Sequence, residues 1–408
     1  MSGLMFVIVL TITAIQFINI MDFMMIMPLG ADIVTGLNIA TAQMGLIGSV
    51  HKGAAAFSAL FCIFVLDRFS RRQAMLCSLA GLLSGIAITA CAENLYSLLL
   101  GRLIAGLFSA PVTALAIALV IYHIPAQRRG YALSVVMTAF SLVTIVGIPA
   151  SLELAQLEYW RLPFFILFAM GLFVLLVAYR YLPRQCDIFR VNMTFSLLYT
   201  QFRQKSGLLY LTTALTMFTG FLLIPHLSIY LQYNLAYPRE SLGFLYLCGG
   251  IASFLAVQSS GYLVNRVGFP LLAFCGSLLL LFVLYQGFLN SPHSSHILPL
   301  FVGFMVALAL RNVATTNWVA QHSATTRCSG FIALNAAIQH IASALGSLFS
   351  GYLLHPLPTG ELVGMPIVAS IAMLTASTLP ILIWLSCYRD AQRLVTLPYL
   401  PSQERICP

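Results

Sequence analysis

Few residues in this sequence can do chemistry, and those few sit where charge is costly. Asp22 is the one acid in residues 3–29, GLMFVIVLTITAIQFINIMDFMMIMPL. Gln16, Asn19 and Asp22 follow at three-residue steps and share an arc of one helical face. A carboxylate buried in a membrane span costs a few kcal/mol unless it is neutral, paired or hydrated, so it marks a candidate proton site. The plainer reading is a structural acid hydrogen-bonded to Asn19. Arg102 lies at a similar depth in a later apolar run and is the natural partner. His51 and Lys52 stand together mid-span. Either could supply a counter-charge or meet an anionic solute, but adjacent residues point about 100° apart on a helix, so one of them is expected to face a cavity. Arg311 lies deep in another run and reads as a contact for an anionic solute, with an interhelical pair as the alternative. His226, Asn335 and His340 complete the candidates for a polar cavity, although a lone histidine in an apolar span is more often structural.

The elements that must position these residues are transmembrane helices. The chain has 408 residues, 60% hydrophobic and 8% charged, where a soluble domain has roughly 25% charged. Apolar runs fall near 3–29, 41–66, 74–92, 96–121, 130–152, 161–182, 207–233, 241–264, 271–289, 297–320, 330–354 and 365–387. That predicts an all-α membrane protein of twelve transmembrane helices. The expected units are a six-helix bundle at 1–182, a linker at 183–206, a second six-helix bundle at 207–387 and a tail at 388–408. Fifteen of the twenty Lys and Arg residues fall on one side: Arg68, Arg71, Arg72, Arg128, Arg129, Arg180, Arg184, Arg190, Arg203, Lys205, Arg266, Arg327, Arg389, Arg393 and Arg405. The other side has Arg161 and Arg239. The positive-inside bias therefore predicts that both termini and the linker are cytoplasmic.

The two halves echo each other. Asp67 in VLDRFSRR and Asn265 in LVNRVGFP stand 198 residues apart, Gly130 and Gly330 stand 200 apart, and Pro28 and Pro225 stand 197 apart. A nearly constant offset indicates a duplicated six-span unit, so the two bundles should be pseudo-symmetric. By that offset, Asp22 has neutral residues near Thr219 and Gly220 as its counterparts.

Several function classes are disfavoured. The net charge of +9 is spread between apolar runs with no basic stripe, which argues against nucleic acid. The nine cysteines are odd in number and lack a CxxC, so neither a disulfide framework nor a zinc site is expected. No phosphate-binding Gly-rich loop, nucleophile elbow or HExxH occurs. We expect no enzyme activity, no ATP use, no metal and no cofactor. The first apolar run lacks a basic n-region and reads as a retained span.

These landmarks carry a resemblance. The loop Ile63–Arg72 is similar to the G-x-L-A-D-R-x-G-R-R signature of the major facilitator superfamily. It keeps Asp67, Arg68, Arg71 and Arg72, while Ile63 and Ser70 replace the glycines. The second copy keeps Gly261, Leu263, Arg266 and Gly268, with Asn265 in place of the acid. Arg102 and Gly106 match the family's R-x-x-x-G element. Gly147 and Pro149 resemble the Gly-Pro element of proton-driven exporters, and Trp160-Arg161 resembles a pair found in the drug/proton antiporter branch.

The resemblance implies two bundles rocking about a midplane cavity, with Asp22 and Arg102 coupling protons. It also implies a cytoplasmic latch at Asp67, Arg68, Arg71, Arg72 and Arg266, and helix packing or hinging at Gly106, Gly147 and Pro149. The expected function is a proton-coupled secondary transporter of a small organic solute, an antiporter in the export direction. It would be a monomer in the lipid bilayer of a bacterial inner membrane. The alternatives are a proton symporter importing a small anion or sugar, and a transporter-like sensor without flux.

Overall fold

Lipid offers the backbone no hydrogen bonds, so an apolar chain crosses it by satisfying every amide within helices. The structure, a computed structural model, describes residues 3–65, 70–157, 159–183, 207–290, 296–323 and 328–396. In the first half, α1 (Gly3–Met25) leads to the short α2 (Gly30–Leu37), followed by α3 (Met44–Val65), α4 (Arg71–Ala90) and α5 (Leu95–His123). Then come α6 (Ala126–Leu142), α7 (Ile148–Leu157) and α8 (Leu162–Tyr181). The second half has α9 (Gly207–Ile229), α10 (Leu242–Val267), α11 (Phe269–Leu284), α12 (Ile297–Ser323), α13 (Cys328–Leu353) and α14 (Met365–Thr396). With α6 and α7 taken as one bent span, these make twelve long helical elements among the described residues. Eleven are long and apolar enough to cross a membrane. The other, α13, has the length but carries Asn335, Gln339 and His340.

Two sequence boundaries differ from expectation. The last helix continues to Thr396, past the expected end at 387, because nothing in YRDAQRLVT breaks a helix. The run expected at 130–152 is longer and bent. A π-helical turn at Val143–Gly147 separates α6 from α7. Pro149 follows at once. It has no amide proton to donate and its ring displaces the carbonyl four residues back, so the ladder shifts its register there. Further π turns extend α9 at Tyr230–Asn234 and α11 at Tyr285–Leu289. The linker residues 184–206 and the tail residues 397–408 lie outside the described residues.

The bundle has two unlike ends. The basic end carries the loops beside Arg71, Arg72, Arg129 and Arg180. The opposite end, called the α2 end below, carries α2, the α7–α8 and α9–α10 connections and a two-stranded hairpin. That hairpin pairs β1 (His355–Pro356) antiparallel with β2 (Leu362–Val363), and its turn uses Gly360 at φ +89°. Asn234 secures it by donating to the Leu362 carbonyl at 3.1 Å and accepting from the Leu362 amide at 3.0 Å.

Within each half, the third and fourth long helices pack along their length, α4 on α5 and α11 on α12. Between the halves, α3 packs on α13 and α10 packs on α7 and the Val143–Gly147 turn. Small residues permit both contacts. A Cβ at Gly45 would strike the Ser347 carbonyl and lie 2.9 Å from Gly351 Cα. A Cβ at Gly250 would lie 2.5 Å from the Thr144 carbonyl oxygen.

Candidate functional site

The site begins with α1 against α5. Asp22 and Arg102 are fully buried, and Arg102 Nη2 donates to Asp22 Oδ1 at 2.8 Å. Arg102 Nη1 donates to the Asp22 backbone oxygen at 3.3 Å. Its Nε and Nη2 also donate to Thr89 Oγ1 at 3.1 and 2.7 Å. Two glycines make room for this triad. A Cβ at Gly101 would lie 2.5 Å from Thr89 Oγ1, and a Cβ at Gly85 would meet the Ala105 backbone. The glycines let α4 and α5 touch and carry Thr89 to the guanidinium. Asp22 Oδ2 has no hydrogen-bond partner among the described residues. The pair thus holds one carboxylate oxygen firmly and leaves the other open to a proton.

Gln16 and Asn19 share the arc with Asp22 but turn inward within the first half. Asn19 Nδ2 donates to Thr113 Oγ1 at 3.0 Å, the Ser109 carbonyl at 3.3 Å and Gln16 Oε1 at 3.4 Å. They fasten α1 to α5.

A second group lies beside the first. A Cβ at Gly106 would meet the His51 carbonyl, so this glycine brings α5 against α3 one turn after Arg102. His51 is buried, and its ring stacks on Phe23 with centroids 5.3 Å apart. Lys52 points another way. Its ammonium lies 3.5 Å from the Phe23 ring centroid and 5.3 Å from that of Phe221, which belongs to α9 in the other half. Phe23 and Phe221 meet at 5.9 Å. His340 lies on α13, the helix of the other half that packs against α3, two turns before Ser347, which bonds Gly45. The structure therefore brings His51 and Lys52 against two aromatic rings that the sequence did not single out, with His340 on the facing helix.

The remaining candidates stand apart from these groups. Arg311 is completely buried in α12, and Nε, Nη1 and Nη2 all lack a hydrogen-bond partner among the described residues. Its stem lies against Gly276 of α11, where a Cβ would sit 3.1 Å from Arg311 Cγ. His226 is buried with neither ring nitrogen hydrogen-bonded, and Asn335 is buried with Oδ1 unpartnered. Gly147 ends the π turn, and a Cβ there would lie 2.6 Å from Met21 Sδ, one residue before Asp22. Pro149 follows in α7.

The expected basic-end latch divides. Asp67 and Arg68 lie outside the described residues. Arg71 Nη1 donates to the Ala118 carbonyl at 3.1 Å and its guanidinium covers Tyr122 at 5.3 Å. Arg72 donates to the Tyr179 carbonyl and covers that ring at 5.1 Å. Both arginines thus bind helices of their own half. Arg266 is exposed at the end of α10.

The fastening between halves visible here is at the α2 end, and sequence reading missed it. Arg239 forms a two-pronged pair with Asp32: Nη2 donates to Oδ2 at 2.7 Å, and Nε donates to Oδ1 at 2.9 Å and Oδ2 at 3.1 Å. Arg239 Nη2 also donates to the Leu152 carbonyl at 3.0 Å. Ser228 Oγ donates to the Pro28 carbonyl at 2.6 Å, and Ser347 Oγ donates to the Gly45 carbonyl at 2.7 Å. Thr35 and Tyr233 join through their hydroxyls at 3.1 Å. The available signal was charge. Each half puts an opposite charge at the α2 end, Asp32 in the first turn of α2 and Arg239 in the short turn before α10.

Known proteins are similar to this chain in part of the sequence and in fold. Residues 12–188 match the family model described as Major Facilitator Superfamily. A segment of 143 residues is 26% identical to an uncharacterized MFS-type transporter, YwfA, of Bacillus subtilis (strain 168), covering 35% of each chain. The whole fold is similar to the nucleoside transporter NupG, with TM-score 0.72 and 13% identity over 92% of this chain and 98% of that one. It is also similar to a D-xylose-proton symporter, with TM-score 0.71 and 14% identity over 92% and 97%. A third similar structure is a bacterial homolog of the human lysosomal transporter Spinster, in an inward-facing and unoccupied conformation. There the TM-score is 0.68 and the identity 16% over 94% and 96%.

Proposed function

We propose that the chain, a multi-pass membrane transporter of the major facilitator type, exchanges protons for a small organic solute by alternating access, as an antiporter that exports. The observation that carries this reading is the buried Asp22–Arg102 pair with one carboxylate oxygen unpartnered. A proton taken at Oδ2 would remove the charge that Oδ1 presents to Arg102. Arg102 would then rest on Thr89 and on the Asp22 backbone oxygen, both already in place. Because Asp22 follows directly on Met21, which packs at Gly147, a change in the pair reaches the α6–α7 bend and its contact with the other half.

The arginine bias supports a cytoplasmic basic end, with both termini and the 183–206 linker on that side of a bacterial inner membrane. The halves at 1–182 and 207–387 would then be fastened on the outside by Asp32 and Arg239, in the arrangement that releases protons and loads solute from within. We take the protein to act as a monomer.

A second reading has its own observation. Lys52 and Arg311 face no acid among the described residues, which suits import of a small anion in symport with protons. Proteoliposomes with an imposed pH gradient separate these readings. In the proposed reading, solute leaves against the proton flow, and Asp22→Asn abolishes solute-induced proton movement. Coupled transport that survives Asp22→Asn overturns the role of Asp22, and solute moving with the protons selects symport.

A further inference from the structure

The structure assigns Lys52 a ligand that the described residues do not supply: we propose that Lys52 and His340 together anchor an organic monoanion with a flat apolar body, held across the junction of the two halves. This deepens the transport reading above by naming the class of solute.

Charge balance comes first. The Asp22 carboxylate is already paired with Arg102. Among the described residues, Phe23 from α1 and Phe221 from α9 stand at the Lys52 ammonium, His51 precedes it and stacks on the same Phe23 ring, and His340 lies on the α13 helix packed against α3. None is an acid. A Lys ammonium carries three N–H donors. The contacts found for this one are ring faces, which attract a cation but accept no ordinary hydrogen bond.

Register comes second. The α3–α13 seam is fixed by Gly45 and Gly48 packing on Ser347 and by the 2.7 Å bond from Ser347 to Gly45. The helices are antiparallel. Stepping two turns from Gly45 along α3 reaches Lys52, and two turns back from Ser347 along α13 reaches His340. The register therefore sets Lys52 and His340 at one level of the seam, just past the tight glycine contact, one from each half.

Ligand chemistry follows. One full cation with a hydrogen-bonding imidazole matches one negative charge rather than two. Two phenyl faces beside it favour a flat apolar body. The anion would also compete with Phe221 for the ammonium. Phe221 belongs to the opposite half, so binding would exchange one cross-junction contact for another that includes His340.

Benzoate is the test ligand, with benzylammonium as its charge-reversed match and acetate as the body-less carboxylate. Binding to the purified full-length protein in detergent is read by isothermal titration and thermal shift. Benzoate should bind saturably, acetate more weakly and benzylammonium not at all. Lys52→Met should weaken benzoate by at least about tenfold, the loss of one charge-assisted hydrogen bond. Lys52→Arg should keep affinity within a few-fold. If Lys52→Met does not fold, His340→Leu carries the test, with a loss rescued by His340→Gln.

Absence of saturable benzoate binding, equal binding of benzylammonium, or unchanged affinity in Lys52→Met or His340→Leu overturns the inference. Equilibrium binding needs no gradient. A protein that binds benzoate through Lys52 yet moves no protons refutes the coupling reading alone. One that couples protons to another solute but ignores benzoate refutes this inference alone.

Discussion

Arg102 and Arg311 occupy comparable places in the two halves. Each lies on the fourth long helix of its half, each is fully buried, and each has a glycine-bearing third helix at its side. Arg102 has Asp22 and Thr89; Arg311 has no hydrogen bond among the described residues. In the second half, the hydroxyls of α9 near the position equivalent to Asp22 are bonded to other threonines. Thr216 bonds Thr315 at 3.1 Å, and Thr219 bonds Thr375 at 2.9 Å. Burial alone therefore does not define a working arginine. Among the described residues, only Arg102 has a partner that can change charge.

The largest test of this contrast is Asp22→Ala. It strands Arg102 as an uncompensated buried charge, at a cost of about 3–5 kcal/mol. Denaturant titration in detergent should show that loss, and a loss below about 1 kcal/mol would mean that Thr89 and backbone oxygens suffice. Next is Gly45→Leu, which drives a side chain into Ser347 and Gly351. Overpacking of about 1–3 kcal/mol should shift the population toward separation at the α2 end. Spin labels at Asn38 and Glu240 would report the added longer distance. Asp32→Asn is smaller. The pair is about one-fifth exposed on each side, so its loss should shift the same distance distribution by at most about 1 kcal/mol, and added salt should mimic it. Smallest is Arg311→Met, expected to leave stability within about 1 kcal/mol of the parent or slightly above it. If Arg311→Met destabilises as much as Asp22→Ala, Arg311 has a partner and the contrast between the halves is gone.

What the sequence made legible follows the range of the forces involved. Hydropathy is local, so the spans could be read, and the rise per residue placed Asp22 and Arg102 at one depth. The duplicated spacing pointed to neutral residues opposite Asp22, near Thr219, whose hydroxyl bonds Thr375. The rings around Lys52 were not legible. Phe23 and Phe221 are two among 28 phenylalanines, and only packing selects them. The Asp32–Arg239 pair escaped because Arg239 counted only as a sparse loop charge, and its partner is 207 residues away. The π turn at Val143–Gly147 was half visible: Gly147 and Pro149 marked the place, but not the form of the bend.

The α2-end fastening has a consequence for genetics. Three of its donors, Ser228, Ser347 and Arg239, come from the second half, and each donates to a first-half backbone carbonyl: Pro28, Gly45 and Leu152. A carbonyl cannot be deleted by substitution. An alanine scan would therefore report these three bonds from the second half alone, and in the first half it would detect the fastening through Asp32 and Thr35. The two sides would receive unequal mutational weight for the same three bonds, and a map of sensitive positions would leave Pro28, Gly45 and Leu152 blank.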